Sequence, residues 1–117
     1  MFLNNKTTKV FVYRQSVDMR KGHNGLSFLV THEMNLDLLS GAIFLFTSRN
    51  RKSAKALVWD GTGLILIHKK MEEGTFMSFK NLKEVEKISS SELSLILEGA
   101  KIKIPISRSE IKIDLKV

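Results

Sequence analysis

Three apolar segments in the middle of the chain are joined by connectors of hairpin length, and this spacing limits the possible folds more than any other feature. The segments run from Ala42 to Ser48, from Ala54 to Asp60 and from Leu64 to Met71. The polar stretch RNRKS joins the first two, and the turn signal DGTG leads into the third. Parallel neighbours would need a crossover of about a dozen residues or more. We therefore expect these segments to pair as an antiparallel meander.

Further strands are predicted on both sides of this meander. Lys9 to Tyr13 is rich in β-branched and aromatic residues, and Thr75 to Phe79 is another short candidate. From residue 101 onward apolar and charged residues alternate, which is typical of a half-buried strand, and Pro105 divides this pattern into two pieces.

Two segments have helical patterns. The first runs from about Lys21 or Asn24 to Met34, with Asp18 or Asn24 as a candidate N-cap. The second, SSSELSLILEG, begins at Ser89 with an S-x-x-E capping box and ends in a glycine suited to the C′ position.

These elements predict an α+β fold. No repeat, linker or low-complexity segment divides the 117 residues, so we expect a single domain, residues 1–117, with an antiparallel sheet of four to six strands and two helices. Much of the core should come from Leu26, Leu29, Val30, Phe44, Phe46, Leu57, Leu64, Leu66, Leu93, Ile96 and Leu97.

The charge balance points to a polyanionic partner. The chain has a net charge of +7, and the span from Leu38 to Trp59 contains no acidic residue although several Lys and Arg fall there. Such an excess favours binding to nucleic acid, and solubility alone is the competing interpretation.

The residues at the N-terminus, MFLNNKTTKV, lack the apolar core of a signal peptide, and no apolar run approaches the roughly 20 residues of a transmembrane helix. The absence of cysteine suits a reducing compartment. We expect a soluble, cytoplasmic protein with no membrane partner.

The stretch DMRKGHNGL, residues 18–26, is the most unusual sequence in the chain. It lacks the Walker spacing, so Gly22 and Gly25 are interpreted as shaping a tight turn. The three histidines are not spaced for a metal site, and no nucleophile motif is present. We expect no catalytic residue, no metal and no cofactor, with Asp18 and Asp60 acting through turn hydrogen bonds.

Three stretches in order carry a family resemblance: DMRKGHNGL, SGAIFLFTSRNRKSAKALVWDGTGLILIHKKMEEGTF and SSSELSLILEG. They resemble the TnpB accessory protein, the product of the second reading frame, of bacterial insertion elements of the IS66 group. The resemblance covers about residues 10–102, whereas the strand-like, lysine-rich tail 103–117 is atypical of the family. Positions that match the family pattern are Asp18, Met19, Arg20, Lys21, Gly22, Gly25, Arg49, Lys55, Trp59, Asp60, Gly61, Gly63 and Leu64.

The resemblance implies a non-enzymatic accessory role in DNA transposition beside a separate, larger transposase. From the charge pattern we expect DNA contacts through Arg14, Arg20, Lys21, Arg49, Arg51, Lys52 and Lys55. Trp59, the single tryptophan, is expected to pack in the core and not to stack on a base. Two alternatives remain open: a factor that binds only the transposase and, less favoured, a metal-dependent nuclease built from unpaired acids.

Overall fold

The computed structural model describes residues 8–104. Its strands are β1 (Val10–Tyr13), β2 (Ile43–Thr47), β3 (Ser53–Trp59), β4 (Leu64–Lys70) and β5 (Val85–Ile88). Its helices are α1 (His23–Phe28), which continues as a π-helical turn (Leu29–Glu33), and α2 (Ser90–Leu97). The strands form one sheet in the order β4-β3-β2-β1-β5. These residues form a single α+β domain, as the sequence predicts.

The central meander is confirmed, and one other pair corrects the antiparallel prediction. β2, β3 and β4 pair as successive antiparallel neighbours, and β1 pairs antiparallel with β5. β1 and β2, however, are parallel, with Val10 opposite Ile43. The long connection through α1 makes this possible, because it returns the chain to the end of the sheet at which β1 begins. The sheet is therefore mixed.

One strand prediction in the C-terminal half is wrong, and of a second, in the tail, the structure describes only the first few residues. Thr75 to Phe79 has no strand structure, although Phe76, Met77 and Phe79 are buried. The fifth strand is instead β5, a short segment with the sequence VEKI. In the tail, residues 101–104 are described and form no strand. Lys103 is exposed and Ile104 is buried, so these two residues do alternate as the pattern predicts. The rest of the predicted tail strand lies outside the described residues.

The first helix begins differently from the prediction. Its N-cap is Gly22, with no side-chain cap hydrogen bond, so neither Asp18 nor Asn24 caps it. The Oδ1 of Asp18 accepts the backbone N–H of Arg20 instead, at 2.8 Å. The π-helical turn ends at Glu33, and the N–H of Met34 donates to the carbonyl of Leu29.

The second helix agrees with the sequence pattern. Ser89 is the N-cap, and its hydroxyl accepts the Glu92 N–H at 3.0 Å while the Glu92 carboxylate accepts the Ser89 N–H at 2.8 Å. Gly99 follows the helix with a φ of +96°, where a side chain would be strained. The predicted capping box and C′ glycine are both confirmed.

Apolar residues cover both faces of the sheet. One cluster packs with α2, and the other packs with α1. Most predicted core residues are buried, and those at the periphery are only partly so: Leu29, Leu64, Leu66 and Leu97. Trp59, at the end of β3, is half-buried and belongs to neither buried cluster.

None of the helices in residues 8–104 has the length and apolarity that crossing a bilayer requires.

Candidate nucleic-acid interface

Four cations line one cleft at the carboxyl ends of the parallel strands β1 and β2. The cleft has a volume of about 560 Å³, and its walls include Arg14, Arg49, Arg51 and Lys80 but no acidic residue. Arg14 directly follows β1, and Arg49 lies in the tip between β2 and β3. The hydroxyl-bearing residues Ser16, Thr47, Ser48 and Ser78 complete much of the wall. We call this site the basic cleft; its composition suits an anion.

The hairpin tip, residues 48–53, is held in shape by its own hydrogen bonds. The hydroxyl of Ser48 donates to Asn50 Oδ1 at 2.8 Å and accepts the Ser53 N–H at 3.0 Å. Asn50 Oδ1 also accepts the Lys52 N–H at 3.0 Å. Arg51 has a φ of +60°, in the left-handed region. The tip therefore presents Arg49 from an ordered turn, because each of these bonds fixes its backbone.

Arg51 ties this tip to the irregular segment that brings Lys80 to the cleft. Its Nη1 donates to the Phe76 carbonyl at 3.3 Å, and its own carbonyl accepts the Phe76 N–H at 2.7 Å. Lys80 was not among the predicted contacts. No sequence signal identifies it, since it is one lysine in a segment without regular structure.

The DMRKG loop lies directly beside the tip. A second cavity of about 560 Å³ shares Ser48 and Arg49 with the basic cleft and is also lined by Asp18 and Met19. The Val17 N–H donates to the Thr47 carbonyl at 2.9 Å, which fastens this loop to the end of β2. The two basic regions predicted from the sequence are thus neighbours.

Arg20 is already paired with an acid in this loop. Its Nη2 lies 2.7 Å from Asp18 Oδ2, and its Nε is 3.1 Å from both carboxylate oxygens. Hydrogen bonds from Arg20 hold the pKa of Asp18 at about 2. The Arg20 side chain remains 91% exposed, but the pair is locally neutral, so Arg20 attracts a phosphate less than a lone arginine would.

Lys55 lies inside the fold, unlike the other predicted contacts. It is 7% exposed, and its Nζ donates to the carbonyls of Met19 and Lys21, each at 2.8 Å. The ammonium therefore fastens the DMRKG loop to β3. The charge of Lys55 is directed inward, so this residue does not belong to the basic cleft.

The other predicted residues occupy the surrounding surface. Lys21 and Lys52 are exposed, and Arg14, Arg49 and Arg51 line the basic cleft. A Cβ at Gly25 would lie 3.2 Å from the Cβ and Cγ of Lys21, so this glycine lets the lysine stem pass close to α1. At Gly22 a Cβ would meet nothing within 4 Å.

The WDGTGL sequence has a structural position at the opposite end of β3 from the basic cleft. Asp60 Oδ1 accepts the N–H groups of Thr62 and Gly63, both at 2.9 Å, and these bonds lower the pKa of the carboxyl. Gly61 has a φ of +106°, which a side chain would strain. Among residues 8–104 no cluster of three or more His, Asp or Glu side chains could hold a metal ion.

Comparison with known proteins assigns the family. The model of the family described as IS66 Orf2 like protein matches residues 8–106. The chain belongs to this family. Its match includes every residue of the basic cleft, the DMRKG loop and the WDGTGL turn. The resemblance noted in the sequence is therefore confirmed, and this IS66 Orf2-like protein is an accessory protein associated with transposition of insertion sequences.

Two relatives of this IS66 Orf2-like protein come from Sinorhizobium fredii (strain NBRC 101917 / NGR234). Uncharacterized protein y4jC is 36% identical over 92 residues, which cover 78% of each chain. Uncharacterized protein y4hO is 28% identical over 99 residues, which cover 85% of this chain and 86% of the relative. No solved structure matches the chain significantly.

Proposed function

We propose that this protein assists a separate transposase by binding the DNA backbone in the basic cleft, without carrying out chemistry itself. The observation that supports this most is the convergence of Arg14, Arg49 and Arg51 with Lys80 on one cleft whose walls hold no carboxylate. The four cations come from three separate parts of the chain, and the fold brings them together.

Phosphate oxygens suit these groups better than base edges do. Arginine offers a planar fork of N–H donors to phosphate, and lysine offers a strong point charge. The hydroxyls of Ser16 and Ser78 can add hydrogen bonds of the kind that position a protein on a DNA backbone. No described aromatic side chain lies exposed in the cleft, since Phe79 there is only 3% exposed, so base stacking is not favoured.

Salt dependence of binding tests this proposal. Each phosphate that a protein neutralises contributes about −0.9 to the slope of log affinity against log salt. We expect fluorescence anisotropy with a labelled duplex to give a steep negative slope for the parent protein. The Arg14→Ala/Arg49→Ala variant should flatten this slope by roughly 1.8 units.

A charge-matched control separates the cleft from general charge. Lys9→Ala/Lys103→Ala removes the same charge from exposed residues that do not line the basic cleft. This variant should keep the parent slope nearly unchanged. Equal flattening in both variants would show that the net charge, and not the cleft, binds DNA.

The competing proposal is a factor that binds only the transposase, for which the cleft would receive an acidic surface of that protein. If the parent protein co-purifies with transposase but shows no affinity for duplex DNA at low salt, this alternative replaces the DNA-binding proposal. The Arg14→Ala/Arg49→Ala variant would then lose the transposase instead of DNA.

A further inference from the structure

The outer edge of β4 is an unoccupied strand edge in the described part of the chain. β4 lies at the end of the sheet and pairs only with β3, and no described backbone hydrogen bond reaches its other side. Leu64 and Leu66 pack toward α1, and Ile65 and Ile67 pack toward α2, yet all four stay partly exposed. Natural proteins usually protect such an edge, because it can pair with another strand.

The register of the β3–β4 ladder determines which backbone groups point outward. The Asp60 N–H donates to the Gly63 carbonyl at 3.0 Å, and the Met71 N–H donates to the Lys52 carbonyl at 2.8 Å. Hydrogen-bonded pairs alternate along an antiparallel ladder. Between these two bonds, the backbone groups that face β3 therefore belong to Ile65, Ile67 and Lys69. Those that face outward belong to Leu64, Leu66, His68 and Lys70.

We propose that this edge pairs with β4 of a second copy of the chain, in an antiparallel arrangement centred on Ile67. This register places Leu64 opposite Lys70 of the copy and Leu66 opposite His68 of the copy, so every outward-facing residue of β4 forms a hydrogen-bonded pair. A two-fold axis through the centre makes the contact self-complementary.

Charge supports this register over one shifted toward the lysines at the end of β4. Centred on Ile67, the pairing sets Lys69 opposite Ile65 and Lys70 opposite Leu64, so no two lysines face each other. Moving the centre to Lys69 would place that lysine directly opposite its own copy, and like charges in that position destabilise a sheet. The apolar half of the strand thus receives the basic half of its copy, and the stem of Lys70 can cover Leu64 of the copy while the Lys69 ammonium donates to the Leu97 carbonyl of its own chain.

The first test is the mass of the full chain in solution, measured by sedimentation equilibrium over a concentration series. We expect a reversible dimer. His68→Pro should make it monomeric, because proline removes an outward N–H that the β3–β4 ladder does not use. His68→Ala, which loses the side chain but keeps that N–H, should stay dimeric. Circular dichroism of both variants checks that the fold is kept.

The second test fixes the register by cross-linking. The chain has no cysteine, so one introduced cysteine reacts only with its own copy. Residue 67 and its copy form a non-hydrogen-bonded pair about 4.5 Å apart at Cα, within the range of a disulfide. Ile67→Cys should therefore form a covalent dimer on mild oxidation. Ile65→Cys should not, because its two copies lie about 13 Å apart along the strands.

Three results would overturn the proposal: a monomer at all concentrations, a dimer that persists in His68→Pro, or cross-linking of Ile65→Cys as fast as Ile67→Cys. A monomer would include the case in which another segment of the same chain covers the edge. None of these measurements involves DNA, so their outcome is independent of the proposed function.

Discussion

Lys55 is a buried cation that holds the DMRKG loop in place beside the basic cleft, although it does not line the cleft itself. Its ammonium, which extends from β3, donates hydrogen bonds to the carbonyls of Met19 and Lys21. Hydrogen bonds to charged groups contribute about 1.5–3 kcal/mol each, offset in part by the cost of burying the charge. We expect Lys55→Met to lower the free energy of unfolding by about 2 kcal/mol, measured by urea denaturation. Lys52→Met, at an exposed position on the tip, should change it by less than about 0.5 kcal/mol.

The same variant tests whether Lys55 contacts DNA. Under conditions in which Lys55→Met is fully folded, its salt slope for duplex binding should equal that of the parent. A slope flattened by about one unit would mean that the ammonium leaves its two carbonyls to meet a phosphate.

The Asp18–Arg20 pair has a pH signature at the scale of single residues. The pKa of Asp18 is about 2, held low by hydrogen bonds from Arg20. Because the folded pKa lies below the ordinary value near 4, the stability that this pair contributes is complete above about pH 4 and is lost as pH falls toward 2. In an NMR titration of the carboxyl carbon, Arg20→Gln should move the midpoint of Asp18 upward. Lys21→Gln, which removes a charge that makes only a minor contribution, should move it far less. Equal shifts would contradict the assigned pair.

At the scale of elements, α2 is stabilised by its capping box. Ser89→Ala removes the acceptor for the Glu92 N–H, and such a loss typically costs about 1 kcal/mol. We expect thermal unfolding to show this loss. Ser91→Ala, within the first turn of the same helix, is the matched control, because it is the same Ser-to-Ala change and leaves the Ser89 cap in place. If the two variants lose equal stability, the cap contributes nothing of its own.

The elements that the sequence predicts well are those defined by local signals. The β2–β3–β4 meander follows from two short connectors, and α2 follows from its cap and its terminal glycine. The parallel pairing of β1 with β2 has no local signal, because it depends on how a long connection packs. In β5, VEKI is too short and too charged to stand out, whereas the apolar TFMSF resembles a strand but is buried as irregular chain.

The residues of the basic cleft also divide into those that the sequence indicates and those that only the fold reveals. The acid-free span directs attention to the hairpin whose Arg49 and Arg51 line the basic cleft, because charge can be read from the sequence itself. Alternation along β3 could have warned that Lys55 lies on the same side as buried Leu57. Lys80 could not be found, because its segment reaches the cleft through long-range contacts, such as those of Arg51 with Phe76, that no local sequence pattern predicts.

At the scale of the whole molecule, the cations of the basic cleft are gathered at one end of the sheet. The basic cleft lies at the carboxyl ends of β1 and β2, whereas Lys9 and the WDGTGL turn lie at the other end of the sheet. A net charge of +7 alone would attract DNA without orientation. Under the proposed function, charge gathered in a cleft would turn one face of the protein toward the duplex and leave the opposite face for the transposase.

If the cleft binds the DNA backbone as proposed, this arrangement predicts weak discrimination between DNA sequences. Phosphate contacts position a protein but carry little sequence information, and the cleft offers mainly arginine, lysine and short hydroxyls. In competition gel shifts, duplexes from the ends of an insertion element and scrambled duplexes of equal length should displace a labelled probe within about threefold of each other. Addition of transposase should raise the preference for the ends, because the sequence is then read by that protein. If this protein alone prefers the ends by more than about a hundredfold, corresponding to roughly 2.7 kcal/mol, it reads bases directly and the backbone-only interface is wrong.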